Sequence, residues 1–326
     1  MGEFVLRDLP GVQIGALATA SPMRQKTLKS SIHCSGIGLH SGAKISMALH
    51  PAECNTGITF RRTDVTEEAS EILALHSNVG DTRLCTTLTN ERGVSVATVE
   101  HLLAALAGCE IDNAVVELDG PEVPIMDGSS EPFVFLIECA GIVEQESPRM
   151  AIEVLKTVTA RIGDAVAMIE PSPKFSIQLG INFDNPLIGE QELGIHVTSD
   201  IFKSEICRAR TFGFIEDVQA LRKAGMVQGG SLDNAIVVSG DEILNDGGLR
   251  YDDEFVRHKV LDCIGDLYLA GGQLIGRFTG HRAGHQVNNL LLRNLFEDRE
   301  AWSHVPMEDH FEFQAEEWNE PAVAVA

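Results

Sequence analysis

Three ionisable residues follow one another at intervals of four in the segment EFVRHKVLDCIGDLYLAGG, residues 254–272: His258, Asp262 and Asp266. The segment predicts a helix opened by Asp252 as a cap and closed by two glycines, and side chains four residues apart lie on one face of a helix. Apolar residues occur on all faces of this helix, which is typical of a helix packed on most sides. Because ionisable groups buried without partners are strongly destabilising, this stripe requires partners.

A metal ion is one partner that suits part of the stripe. A catalytic zinc site has three protein ligands, drawn from His and carboxylates, and an open fourth position. His258 and Asp262 can supply two ligands from one helix, and His101 in the segment TVEHLLAALAG is the best candidate for the third. The alternative is that His258 and Asp262 only pair with each other or with neighbouring cations, and the HxxxD spacing by itself favours that simpler interpretation.

His101 and its neighbour Glu100 begin a mostly apolar predicted helix. The helix dipole disfavours a charged imidazole there and keeps the ring neutral, as metal binding requires. Glu100 could be the base that deprotonates an attacking water, or it could only compensate the helix dipole. The first role is favoured once a metal binds beside it.

A second histidine pair, His281 and His285 in TGHRAGHQVNN, has the same spacing, but Gly280 and Gly284 disfavour a continuous helix. We therefore predict a loop that enters a helix, with His285 better suited to be a free acid or base than a ligand. The histidines in strand or turn contexts are predicted to be mostly structural: His33, His40, His50, His76 and His196. The glycines of GIGLHSG are nevertheless typical of a loop that approaches a ligand.

The elements that must position these residues are predicted to occur twice in the same order. Short alternating strands from Thr27 to Val96 precede a helix capped by Thr98 and ended by Gly108, then a strand and a second helix. The polar segment 144–150 is the best candidate for a domain boundary. After it, strands again precede helices, near 216–225, 254–272 and 284–297. This order predicts an α+β chain with two related domains.

Length and composition restrict the function further. The 326 residues exceed one ordinary core, which also favours two domains. The net charge of -23 argues against a nucleic-acid surface, and an anionic substrate would need Lys or Arg placed locally. No apolar run is long enough to span a bilayer. The seven cysteines, odd in number and without a CxxC pair, argue against a disulfide framework and a thiolate zinc cage, and they favour a reducing cytoplasm.

Five separated motifs resemble those of the UDP-3-O-acyl-N-acetylglucosamine deacetylase family, in the order in which that family carries them. They are TVEHLLAALAGCEIDNAVVELDGPEVPIMDGSSEPFV, CRARTFGF, GGSLDNAIVV, RYDDEFVRHKVLDCIGDLYLAG and GHQVNN. The resemblance runs from about Arg24 to about Ser303, nearly the whole chain. It implies a zinc-dependent amidase that performs the committed step of lipid A biosynthesis in Gram-negative bacteria.

The resemblance also implies a fold. Two α+β domains, each a β-sheet layer with packed helices, would place their helix layers face to face, with the active site at the junction. The N-terminal domain would span 24–148 and the C-terminal domain 149–303, with an inserted β-α-β element at about 212–237 that lines an apolar passage for a fatty acyl chain. Residues 1–23 form an extension outside the family's pattern, and 304–326 form an acidic tail.

By the same resemblance, the cofactor is one catalytic zinc ion, or ferrous iron in the cell, since His and Asp ligands suit both. Its ligands would be His101, His258 and Asp262, beside Glu100 as the general base. The substrate would be UDP-3-O-acyl-N-acetylglucosamine, and the products acetate and the free 2-amine.

The remaining matches assign roles around that centre. His285 would stabilise the oxyanion and protonate the leaving amine, with Thr211 as a second oxyanion donor and Asp266 holding His285. Contacts with the substrate are implied for Phe212, Lys259 and Leu39.

Two other functions compete with this one. A sugar-nucleotide-binding protein without turnover is disfavoured, because binding alone needs neither a base such as Glu100 nor an acid such as His285. A zinc lyase or dehydratase would not release acetate from an acetamide. A structural zinc site is disfavoured because only three ligands are found, none of them Cys. The sequence thus predicts a cytoplasmic monomer that acts on a small molecule, without a nucleic-acid partner or a membrane span.

Overall fold

Strands precede helices in both halves of the chain, as predicted, within residues 22–308, the part that this computed structural model describes. The predicted extension and acidic tail lie outside the described residues over 1–21 and 309–326. The first half contains β1 (Arg24–Leu28), β2 (Ile32–Ile37), β3 (Lys44–Pro51), β4 (Ile58–Arg62), β5 (Glu71–Leu73), β6 (Val79–Asp81), β7 (Thr87–Thr89), β8 (Ser95–Val96), α1 (Glu100–Gly108), β9 (Ala114–Leu118), α2 (Glu131–Ala140) and β10 (Ile142–Pro148).

The second half contains β11 (Met150–Val154), β12 (Val158–Ile162), β13 (Ala165–Glu170), β14 (Ser176–Asn182), β15 (Glu190–His196), α3 (Ser199–Ile201), β16 (Phe212–Phe214), α4 (Ile215–Lys223), β17 (Ile236–Ser239), β18 (Glu242–Ile243), α5 (Glu254–Tyr268), β19 (Gln273–Ile275), β20 (Arg277–His281), α6 (His285–Glu297) and β21 (Trp302–Pro306). A π-helical turn, Phe202–Ile206, follows α3, and two short 3-10 helices, Glu67–Ala69 and His76–Asn78, lie in the first half.

The two halves share one sheet topology. The first half forms a five-stranded sheet in the order β2-β3-β9-β4-β5, and the second half one in the order β12-β13-β20-β14-β15. Each sheet has a single parallel pair, β4 with β9 and β14 with β20. In each half a long helix, α1 or α5, comes before the central strand, and another, α2 or α6, follows it. The predicted α+β fold of two related halves is therefore confirmed, and α1 and α5 are equivalent helices of the repeat.

The strands form because their apolar residues alternate, which gives each sheet one buried face. In β3 the buried side chains include Ile45, Met47 and Leu49, and in β14 the sequence SIQLGIN buries alternate apolar residues in the same way. Helix α6 packs against β12 and β13, and α5 packs against β14. The helices of the second half thus cover the buried face of its sheet.

Helix α1 is buried along nearly its whole length and packs directly against α5. A Cβ atom added at Gly265, in the interior of α5, would lie only 2.0 Å from the carbonyl oxygen of Glu100. The missing side chain therefore permits the close crossing of the two helices. A glycine inside a helix is unfavourable by about 1 kcal/mol relative to alanine, so the close approach is retained at a cost to the helix itself.

Both predicted N-caps are wrong. The capping position of α1 is Val99 rather than Thr98, and the Thr98 hydroxyl instead donates to the carboxylate of Glu122. The capping position of α5 is Asp253 rather than Asp252, and it makes no capping hydrogen bond. Tertiary contacts hold the starts of both helices in place, so neither start depends on a local cap.

Three further segments bear on the expected domain organisation. The polar segment 144–150, the candidate domain boundary, runs from β10, which pairs with β1, to the first residue of β11. Strand β21 pairs with β11 and extends past residue 303. Strands β16 and β17 pair in parallel with α4 between them, in the region where an inserted β-α-β element is expected. No helix in the described part of the chain is long and apolar enough to cross a membrane.

Candidate active site

Three side chains with ligand atoms converge where α1 crosses α5. Nε2 of His101 lies 3.4 Å from Oδ1 of Asp262, and Nε2 of His258 lies 3.3 Å from the same oxygen. All three residues are buried, and their ligand atoms lie within 4.8 Å of one another. A tetrahedral ion with ligands at about 2.0–2.1 Å separates those ligands by about 3.3 Å, so the spacing fits zinc.

The hydrogen bonds around this trio leave the inner atoms free for a metal. Nδ1 of His258 donates to the carbonyl oxygen of Ala209 at 3.1 Å, which fixes the tautomer with a lone pair on Nε2. Oδ1 of Asp262 is buried and has no hydrogen-bond partner among the described residues. A buried carboxylate oxygen without a partner is costly. A cation at this point would satisfy it.

The protonation states also suit metal binding. Burial lowers the pKa of His258 to about 3, so the ring is neutral at pH 7. Burial opposes ionisation of Asp262, but His258 and the ammonium of Lys259 outweigh it and hold the pKa of Asp262 well below its usual value. Nζ of Lys259 donates to Oδ2 of Asp262 at 2.9 Å, which leaves Oδ1 directed at the histidines.

Glu100 stands beside the trio as the first residue of α1 and is only 3% exposed. Its Oε2 accepts a hydrogen bond from the backbone N–H of Thr86 at 2.9 Å, whereas Oε1 receives none from residues 22–308. Burial raises the pKa of the Glu100 carboxyl, although the charge of His285 opposes the change. A raised pKa makes this carboxylate a better base near neutral pH.

Asp266 and His285 form a second buried pair. Nδ1 of His285, the first residue of α6, lies 2.8 Å from Oδ2 of Asp266. The same carboxylate accepts from the Thr86 hydroxyl at 2.6 Å and from Nδ2 of Asn288 at 3.0 Å. Burial would lower the pKa of His285, but Asp266 and the other nearby carboxylates raise it to about 9. His285 is therefore an imidazolium at neutral pH and has a proton to give.

These groups open into one cavity of about 520 Å³, which we call the junction cavity. Its lining contains the metal trio, Glu100 and His285, together with Thr211, Phe212 and Leu39. Apolar side chains of the β16-α4-β17 element and the loop that follows α4 complete it: Phe214, Ile215, Val218, Leu221 and Val227. The structure thus places every metal, catalytic and substrate-binding candidate except Asp266 in the lining of one cavity. Asp266 does not line the cavity but contacts His285, which does.

Lys259 and Phe212 lie together at the cavity. Nζ of Lys259 is 5.5 Å from the centre of the Phe212 ring, which itself packs edge-on against Phe255 at 4.9 Å. Lys259 remains 26% exposed. Since an ammonium has three N–H donors and Asp262 accepts one of them, Lys259 retains donors for an anionic ligand.

Sequence reasoning assigned no role to three residues around the site: Thr86, Asn288 and Glu122. Thr86 and Asn288 hold the carboxylates described above, and buried Glu122 accepts from the backbone N–H groups of His40 and Ser41. His40 also lines the junction cavity, so it is not purely structural. The glycines of GIGLHSG and the substrate contact implied for Leu39 both pointed to this loop. Nothing in local spacing pointed to Thr86, whose partner Asp266 is 180 residues away.

Three other histidines of the described residues have surroundings of their own. His281 ends β20 and is exposed, while α6 begins at His285, so the predicted loop between them is confirmed. His50 bonds with Ser31 and Glu117, and His76 stacks on Phe296 with ring centres 4.4 Å apart. Both fit the structural role predicted for them.

Comparison with known proteins gives one consistent result. The family model described as UDP-3-O-acyl N-acetylglycosamine deacetylase matches residues 25–297. The chain is 52% identical over 285 residues to the UDP-3-O-acyl-N-acetylglucosamine deacetylase of Acidithiobacillus ferrooxidans, which covers 87% of this chain and 93% of the relative. It is 49% identical over 304 residues to the protein of the same name from Thioalkalivibrio sulfidiphilus, covering 93% and 99%. The chain therefore belongs to the UDP-3-O-acyl N-acetylglycosamine deacetylase family.

Proposed function

We propose that this protein hydrolyses the N-acetyl group of UDP-3-O-acyl-N-acetylglucosamine, with a zinc ion held by His101, His258 and Asp262. The observation that carries the proposal is the juxtaposition in one cavity of a buried two-histidine, one-carboxylate trio, a carboxylate with a raised pKa and a protonated histidine. The names of the relatives supply the substrate. The reaction would serve lipid A biosynthesis, as the sequence resemblance implies.

A bound zinc ion would supply Lewis acidity for the attacking water and for the acetyl oxygen. Glu100 takes a proton from the attacking water as the oxygen of that water adds to the acetyl carbon. Thr211 and the imidazolium of His285 stabilise the negative oxygen that forms. When the C–N bond breaks, His285 gives its proton to the glucosamine nitrogen, so the products are acetate and the amine. Oε1 of Glu100, which accepts no hydrogen bond within residues 22–308, is the oxygen left to take the proton from the water.

The apolar part of the junction cavity is suited to the 3-O-acyl chain. Phe212, Ile215, Val218 and Leu221 line it, and a buried alkyl chain gains roughly 0.8 kcal/mol per methylene. The donors left on Lys259 suit the diphosphate or the sugar. An acidic protein requires such a locally placed cation, because its overall field repels an anionic substrate.

Purified protein should release acetate from the acylated nucleotide sugar in a metal-dependent reaction, whereas UDP-N-acetylglucosamine without the acyl chain should react far more slowly. Tight binding of the acylated sugar without acetate release would indicate the binding protein considered above. Consumption of the sugar with acetate still attached would indicate a lyase or dehydratase. The monomeric state and the cytoplasmic location expected from the sequence remain predictions.

A further inference from the structure

Thr86 lies at a position where three separate elements meet, and all of its polar groups are used there. It is the last residue of the loop between β6 and β7, is 1% exposed and stands between the start of α1 and the middle of α5. Its backbone N–H donates to Oε2 of Glu100 at 2.9 Å, and its hydroxyl donates to Oδ1 of Asp266 at 2.6 Å. Its carbonyl oxygen accepts from the N–H of Val99, just before α1, at 3.3 Å.

We infer that Thr86 is a positioning residue that holds the proton-accepting Glu100 and the proton-donating His285 in fixed relation to each other. This inference rests on the proposed function, since it assigns Thr86 a part in that same reaction. One residue thus bonds directly to the base and, through Asp266, to the acid.

The bond to Glu100 decides which oxygen of the base faces the reaction. Because the N–H of Thr86 occupies Oε2, Oε1 is the oxygen left to accept a proton. A carboxylate that could rotate freely would present either oxygen, and misplacement of a catalytic group by about 1 Å can lower a rate about 100-fold.

The hydrogen bond from the Thr86 hydroxyl to Asp266 positions His285, which donates a proton to the leaving amine. Oδ2 of Asp266 already accepts from His285 and Asn288, so the hydroxyl of Thr86 is the donor that holds Oδ1. With both oxygens held, the carboxylate plane is fixed and so is the direction of the His285 ring. Without the hydroxyl, Oδ1 would be a buried carboxylate oxygen without a partner, and the pair could turn to satisfy it.

Thr86→Val tests this inference, because valine keeps the shape and the backbone N–H but removes the hydroxyl. We expect kcat for acetate release to fall about 10–100-fold, with KM within about 3-fold, as is typical when an outer partner of a functional side chain is lost. Thr86→Ser, which keeps the hydroxyl, should recover most of the rate. In a His285→Gln background the substitution Thr86→Val should lower kcat little further, since the effect of the hydroxyl on the reaction passes through that histidine.

The matched control is Thr27→Val. Thr27 is also buried, and its hydroxyl also holds other groups, donating to the carbonyl of Asn113 at 2.7 Å and accepting from the N–H of Ala52. It does not line the junction cavity, so its variant should lose stability but keep kcat. If Thr86→Val cannot be purified folded, Thr86→Ala and Thr86→Ser give the same comparison.

An active wild type with an unchanged kcat in folded Thr86→Val overturns the inference and leaves the proposed function intact. The inference is also overturned if unfolded protein accounts for the whole loss of activity in Thr86→Val. It is likewise overturned if Thr86→Val lowers kcat by the same factor in the wild-type and the His285→Gln backgrounds. A wild type that releases no acetate overturns the proposed function itself and, with it, the role of Thr86.

Discussion

Burial alone would lower the pKa of His285, and Asp266 is the first of the carboxylates that raise it instead, ahead of Glu100 and Asp262. We predict that Asp266→Asn lowers the pKa of His285 by about one to three units, as loss of a close opposite charge does. His285 acts as an acid in its protonated form, so activity falls as the pH rises through its pKa. The alkaline limb of a kcat/KM profile should therefore move to lower pH in Asp266→Asn.

The control for this experiment is Asp298→Asn, which removes an exposed carboxylate that pairs with the surface residue Lys156 and accepts from the backbone N–H of Glu300. That variant should keep the wild-type profile. An alkaline limb that stays in place in Asp266→Asn would show that another group supplies the proton.

Residue types and local spacing made a few site residues candidates, whereas Thr211, Phe212, Lys259 and Leu39 came from the family resemblance alone. The helical spacing of His258 and Asp262, and the place of Glu100 and His101 at the start of an apolar helix, made all four residues candidates, but the metal and base roles were preferred only with the family resemblance. Thr86 and Asn288 could not be found in this way, since a Thr in a strand-rich segment has no local feature that reveals a partner far along the chain. The caps failed for the same reason: Thr98 binds Glu122, a tertiary partner.

Among the contacts between secondary-structure elements, the site depends most on the crossing of α1 and α5. We predict that Gly265→Ala destabilises the protein by about 1–3 kcal/mol, as overpacking a core does. It should also weaken metal binding, because a Cβ atom 2.0 Å from the backbone of Glu100 must push α1 away from α5. Denaturant unfolding and a zinc-binding titration measure the two effects.

Gly247→Ala provides the comparison, since a Cβ atom at Gly247 meets nothing within 4 Å. It should change neither stability nor zinc affinity appreciably. Wild-type zinc affinity in Gly265→Ala would mean that the ligands do not need this close crossing. Gly265 was visible in the sequence as a glycine inside a helix pattern, but periodicity alone does not reveal which element approaches it.

At the scale of the whole molecule, the metal would join the two repeated halves. His101 comes from the first half, whereas His258 and Asp262 come from the second, and the helices that carry them are equivalent in the repeat. The order of elements predicted the duplication, but only the sheet pairing shows that both halves share one topology, because strand neighbours are set by contacts between distant segments.

A ligand that binds only the folded state stabilises it, by about 2.7 kcal/mol at 100 times its dissociation constant. We therefore predict that zinc raises the unfolding free energy of metal-stripped protein by about this amount and raises that of His101→Ala much less. Denaturant unfolding with and without zinc measures this change in unfolding free energy for each protein. His281→Ala removes an exposed histidine outside the trio and should respond as the wild type does. Equal stabilisation of His101→Ala and the wild type would place the metal elsewhere.

The most direct test of the account is acetate release from UDP-3-O-acyl-N-acetylglucosamine during a zinc titration of metal-stripped wild type and Glu100→Gln. We predict that wild-type activity is lost on stripping and returns to a plateau at about one zinc per chain, as a single three-ligand site requires. Glu100→Gln should bind the same amount of zinc yet release acetate at least about 100 times more slowly, the usual range for loss of a general base. Full activity in stripped protein, or a wild-type rate in Glu100→Gln, would contradict it.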